Sequence, residues 1–144
     1  MKLITKTLIL GLILVGGLAY AGSATDPDAK ARQDLMDANG GAMKVLGGMA
    51  KGDVAFDATA AAAAKATLVA DAANIAVVFK NQSTDPASKA KPAIWTAWDD
   101  FTAKANDLGK AAAALDTTSV DTLKAGVGAI GGACGACHTA YKAS

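Results

Sequence analysis

Cys134-Gly135-Ala136-Cys137-His138 concentrates the chemistry of this sequence in five consecutive residues. They include its only two cysteines and its only histidine. The C-x-x-C-H spacing is the attachment signature of a c-type haem. On a helix, cysteines three apart share a face, where two thioether bonds can hold two vinyl groups. The histidine, four residues after the first cysteine, projects from that face and can present its imidazole to iron as proximal ligand. Three other uses fit less well. A Cys134–Cys137 disulfide is sterically poor inside a continuous helix. A thioredoxin-like redox pair wants a βαβ context and a helix N-terminus to depress the thiol pKa. A zinc site needs a fourth ligand, and there is no second histidine or third cysteine.

A sixth iron ligand has to come from upstream, because only Thr139 to Ser144 follow the motif. With one histidine, bis-histidine ligation is excluded. Apart from Met1, the methionines are Met36, Met43 and Met49, all in one helical pattern. Met36 lies about eight residues into that pattern and His138 about five from the end of an antiparallel one. At ~1.5 Å per residue the two sit within roughly one turn of the same height. Met43, two turns along the same face, is the next ligand to consider; it and Met49 otherwise read as core filler. Arg32, one turn before Met36, can pair a haem propionate, and Gln33 can reach one.

These residues need helices to position them, and the chain is built to make helices. Its 144 residues are 52% hydrophobic, 19% charged and 5% aromatic, much of the apolar share being alanine, as in Ala60 to Ala64. That suits one collapsed domain rather than a disordered chain or a β-sandwich. The first helix starts at Asp26-Pro27-Asp28 and ends by Gly52. The second opens near Asp57 and carries Leu68, Ala72, Ile75 and Phe79. After a polar loop, Asn81 to Lys91, the third begins about Pro92 and runs through Ile94, Trp98, Phe101, Ala105, Leu108, Ala112 and Leu115. The fourth opens on a capping-box-like Thr118-x-x-Asp121 and carries Val120, Leu123, Val127, Ile130, Cys134, Cys137 and Tyr141. Such regular steps of three and four predict an all-α, up-down-up-down four-helix bundle with the haem in its core. Trp95 and Trp98 read as core or haem-pocket wall, and Phe79 as a cover for the haem edge. Gly126, Gly128, Gly131, Gly132 and Gly135 each cost ~1 kcal/mol against alanine inside a helix. Either that helix is broken, or a flat group such as the macrocycle covers its backbone.

Residues 1–21 read as a cleaved export signal. Lys2 and Lys6 precede the apolar run Leu8 to Leu18, and Ala19-Tyr20-Ala21 offers an A-x-A cleavage site. The run is short of the ~20 residues that span a bilayer, so a retained anchor fits less well. The mature domain is then 22–144, without a membrane span, in the bacterial periplasm. Cleavage removes two of the 14 cationic residues and none of the 13 acids, all Asp, leaving net −1. No basic stripe marks a nucleic-acid partner.

The chain resembles the class II c-type cytochromes, the cytochrome c′ and cytochrome c-556 group. The matching pieces are Arg32-Gln33-x-Leu35-Met36, Val45-Leu46-Gly47 with Lys51-Gly52, Pro92-x-Ile94-Trp95, and Cys134-x-x-Cys137-His138. The resemblance implies a four-helix bundle with one covalent haem c on its last helix, and it places the distal residue at Met36. Where the family often has arginine, Lys142 keeps the charge without bidentate geometry. The family holds two kinds of site: a five-coordinate iron that admits NO or CO, and a low-spin His/Met iron. Leu35-Met36-x-x-Asn39-Gly40-x-x-Met43 resembles the second. The implied function is a periplasmic electron carrier serving redox partner proteins, with a gas-binding cytochrome c′ as the alternative, as monomer or homodimer. An enzyme would need a distal acid–base pair, for which one committed histidine and no Glu leave little material.

Overall fold

The structure, a computed structural model, describes residues 22–144; the expected signal segment, residues 1–21, lies outside the described residues. It contains five helices: α1 (Pro27–Lys51), α2 (Ala58–Val78), α3 (Ala93–Thr96), α4 (Trp98–Ala114) and α5 (Val120–Tyr141). The four long ones close a ring in which α1 packs on α2 and α5, and α4 packs on the same two. Hydrogen bonds between opposite ends fix the antiparallel sense. Arg32, early in α1, donates to the Asn81 carbonyl just past α2 at 2.9 Å. Lys65, early in α2, donates to the Leu115 carbonyl just past α4 at 2.7 Å. Tyr141, at the end of α5, donates to Asp100 in the first turn of α4 at 2.6 Å. The expected up-down-up-down four-helix bundle is the fold.

The helix boundaries follow from their caps. Asp26 accepts the Ala29 N–H at 2.8 Å, Pro27 opens α1, and Gly52 ends it at φ 83°, a left-handed conformation that glycine adopts without Cβ strain. Asp57 accepts from Thr59 and Ala60 at 2.8 and 3.0 Å to start α2. Two expectations need correcting. The box opening α5 is Ser119 with Thr122, each side chain accepting the other's N–H at 3.2 Å. Thr118 is drawn into the preceding turn, giving both its N–H and its hydroxyl to Asp116. The third predicted helix is interrupted at Ala97 (φ −124°, ψ 46°). Ile94 and Phe101 are buried on either side of the break, so the periodicity carries no trace of it.

Leu46, Leu68, Ile94, Phe101, Leu115, Leu123 and Ile130 are fully buried at the centre. Phe101 gathers the aromatic end, with Phe79 at 5.1 Å, Trp98 at 5.6 Å and the edge of Tyr141 at 5.4 Å between ring centroids. Met49 belongs to this core. The glycines of α5 behave differently from expectation. The helix is unbroken, and only Gly126 is pressed, since a Cβ there would meet Leu115 Cδ1 at 2.8 Å. Gly131 lines a cavity, while Gly128, Gly132 and Gly135 face open space and line none of the cavities described below. A single flat group therefore does not account for all five.

Candidate functional site

Two cavities of about 330 and 300 Å³ open between α1 and α5, reaching to α4. Met36, Cys137 and His138 line both. The helical register explains the convergence. Cys134 and Cys137 lie three apart and His138 adjoins the second, so the three follow one face of α5; Arg32, Met36, Asn39 and Met43 recur by four, three and four along α1. The antiparallel pairing brings these two faces together. Among the described residues, no group of three or more His, Cys or Asp side chains gathers to hold a bare metal ion.

Cys134 and Cys137 form no disulfide with one another, and both are half-buried. Burial pushes their pKa values up, for Cys137 against the opposing pull of the Lys104 cation. Neutral thiols on a continuous helix are poor redox nucleophiles, but they are placed to add to vinyl groups of a ligand lying in the cavities. Partial burial, helped by the Lys142 cation, pulls His138 below its ordinary pKa and favours the neutral imidazole that binds iron.

The first cavity is the polar one. Arg32 on its wall is only 3% exposed, and its guanidinium lies between two rings, 5.5 Å from the Phe79 centroid and 5.4 Å from that of Trp95. The Trp95 indole N–H donates to the Phe79 carbonyl at 2.8 Å and locks the clamp. One guanidinium nitrogen donates to Asn81, while Nε and Nη2 are buried without a protein partner. A buried cation with two unspent donors on a cavity wall suits a carboxylate of the ligand. Phe79, anticipated as a cover for the haem edge, and Trp95, anticipated as core or pocket wall, flank it there. Sequence periodicity could not show this, because Trp95 reaches Phe79 across the α2–α3 loop.

Gln33 lines the same cavity with its amide largely engaged. Its Oε1 accepts the Ala24 N–H at 2.9 Å, and its Nε2 donates to the Ala87 carbonyl at 3.1 Å. It thereby ties the segment before α1 to the α2–α3 loop. Asp85 strengthens that tie by accepting from the Thr25 and Asp26 N–H groups at 2.8 and 2.9 Å and from Ala87 at 2.8 Å. These bonds hold the Asp85 pKa down at about 2. Lys89 and Lys142 flank the opening, brought together by an isolated β-bridge between Ala90 and Lys142.

The second cavity is lined mostly by apolar residues: Met43, Ile75, Ala105 and Leu108, with Gly40 and Gly131 leaving it open on the α1 and α5 sides. Cys134 borders this cavity alone. A ligand with carboxylates at one end and a hydrocarbon edge at the other matches the pair of spaces, and haem is such a ligand. The residues present fit it.

Comparison with known proteins agrees. Residues 28–142 match the model of the family described as Cytochrome C′. The chain is 35% identical to a cytochrome c-556 of Agrobacterium fabrum, covering 99% of this chain and 95% of that protein. It is 33% identical to a cytochrome c′ of Rhodopseudomonas palustris, covering 99% and 98%. The solved cytochrome c′ from Rhodobacter spheriodes superposes with a TM-score of 0.75 at 30% identity, over 81% of this chain and 95% of that one.

Proposed function

The chain belongs to the cytochrome c′ family and is a monohaem cytochrome with covalently attached haem c; from that premise we propose that it is a periplasmic electron carrier with a low-spin His/Met iron. The observation that supports this most is the convergence of Met36 and His138 on both cavities from two neighbouring helices. A thioether on one side and a neutral imidazole on the other form the axial pair of many one-electron carriers.

In this reading Cys134 and Cys137 tether the haem, His138 is the proximal ligand and Met36 the distal one. Arg32 turns its free Nε and Nη2 to a propionate, fixed in direction by Phe79 and Trp95. Gln33 closes the mouth through Ala24 and Ala87 and keeps one amide hydrogen for the same propionate. The haem, when bound, supplies reversible Fe(III)/Fe(II) exchange. The protein's part is to hold both axial ligands on helices that are already packed, so that little rearranges when the charge changes. The segment 1–21 directs export and is removed, leaving 22–144 to meet redox partner proteins.

A second reading, a five-coordinate iron that takes NO or CO, draws on the relative named cytochrome c′ and on the apolar second cavity. The reduced spectrum separates the two. A methionine-ligated iron is low-spin with sharp α and β bands and excludes CO; a high-spin spectrum with ready CO uptake would establish the second reading instead.

A further inference from the structure

Asn39 is left without a task by the uses above. It lies one turn beyond Met36 on α1, is 6% exposed, and lines the second cavity. Both ends of its carboxamide, Oδ1 and Nδ2, are buried with no partner among the described residues. The lining around it is largely hydrocarbon, and no acidic residue is part of it. A leucine of similar size would pack there at no hydrogen-bonding cost, so an orphaned carboxamide asks for a polar partner that enters the cavity. The apolar edge of a haem offers none, and a methionine sulfur is at best a weak acceptor. Lys104, a cation, lines the same cavity.

We propose that Asn39 makes the α1 face of the haem a binding site for small anionic, hydrogen-bond-accepting ligands of ferric iron, the Nδ2–H group donating to the bound ligand. No acid lines the cavity, and Lys104 on its wall is ion-paired to Asp100 at 3.5 Å, so the hydrogen-bond donor rather than net charge carries the preference. The inference rests on the haem seat described above but not on Met36 ligation. Where Met36 occupies the iron, such a ligand must displace it. Where it does not, the site is open. Asn39 thus favours an anion over neutral CO, a preference that the surrounding hydrocarbon would not give.

The test uses azide on the ferric holoprotein and CO on the ferrous one, in Asn39 and in Asn39→Leu, each with Met36 and with Met36→Ala. In the Met36→Ala background, Asn39→Leu should weaken azide binding about tenfold, the size expected for losing one hydrogen bond to a charged ligand. CO affinity should change less than about twofold on the same scale. The infrared C–O stretch should rise in Asn39→Leu as the donor is lost, and Asn39→Gln should recover part of the azide affinity. Unchanged azide affinity overturns the proposal, and so does a parallel fall in azide and CO. If Met36→Ala leaves the wild-type spectrum intact, Met36 ligation fails, and the same azide comparison in the Met36 background decides Asn39.

Discussion

The α2–α4 side and the α1–α5 side of the bundle are made from similar small-residue helices, yet they pack differently. Where α2 meets α4, a Cβ on Gly109 would already touch the Ala72 Cβ at 3.4 Å. Where α1 faces α5, the space reaches about 330 and 300 Å³, and buried polar atoms of Arg32 and Asn39 lack partners. One side is closely packed where Ala72 and Gly109 meet. The other is shaped for something that completes it. The difference predicts that the α2–α4 side acts as scaffold, while stability on the α1–α5 side depends on the ligand.

Blocking attachment should break the comparison most visibly. A Cys134→Ser, Cys137→Ser double variant should give an intact mass lacking the haem. Hydrogen exchange should then show protection lost along α1 and α5 but largely kept where α2 and α4 meet. Equal loss on both sides would mean that the halves are not separable.

Leu68→Ala attacks the scaffold instead. Leu68 is fully buried in α2 and lines neither cavity. Its truncation should cost about 2–5 kcal/mol by chemical denaturation. The haem absorption spectrum should stay as in the parent; a changed spectrum would place the haem against α2 as well.

Acid should loosen the mouth of the open side. The folded-state pKa of Asp85 is depressed to about 2 by hydrogen bonds from Asp26, Ala87 and Thr25. Its contribution is therefore present above the ordinary carboxyl pKa near ~4 and is lost as pH falls toward the folded value. Between those two pH values the segment Ala24–Asp26 should detach, read as faster exchange of the Thr25 and Asp26 amides. Asp85→Asn should show that fast exchange at neutral pH, and an Asp85→Asn protein with wild-type protection at pH 7 would refute the role.

The smallest effect concerns the glycines. A Cβ at Gly132 meets nothing within 4 Å, so Gly132→Ala should stabilise the holoprotein by about 1 kcal/mol through helix propensity. Destabilisation would show that the haem or another surface approaches α5 there after all.

The bundle was legible because its apolar residues keep steps of three and four over most of the chain, with Asp26-Pro27 and Gly52 marking the first helix. The motif Cys134 to His138 announced its cofactor through residue scarcity as much as spacing. Local hydrogen-bond choices were not legible. Ser119 and Thr118 compete for one cap, and the distinction lies in which of them Asp116 captures. The break at Ala97 was hidden because the buried stripe continues across it. The aromatic clamp on Arg32 joins residues from three segments, and the orphaned amide of Asn39 depends on what fails to lie beside it. Neither is a property of sequence spacing.

Whether α1 and α5 hold one haem between Met36 and His138 is tested most directly by a single comparison. Ferric wild-type holoprotein should show the weak near-infrared charge-transfer band of methionine-ligated iron. Met36→Ala should abolish that band, convert the iron to high spin, open it to CO and lower its reduction potential. A wild-type protein without the band, or a Met36→Ala spectrum identical to wild type, would contradict the account.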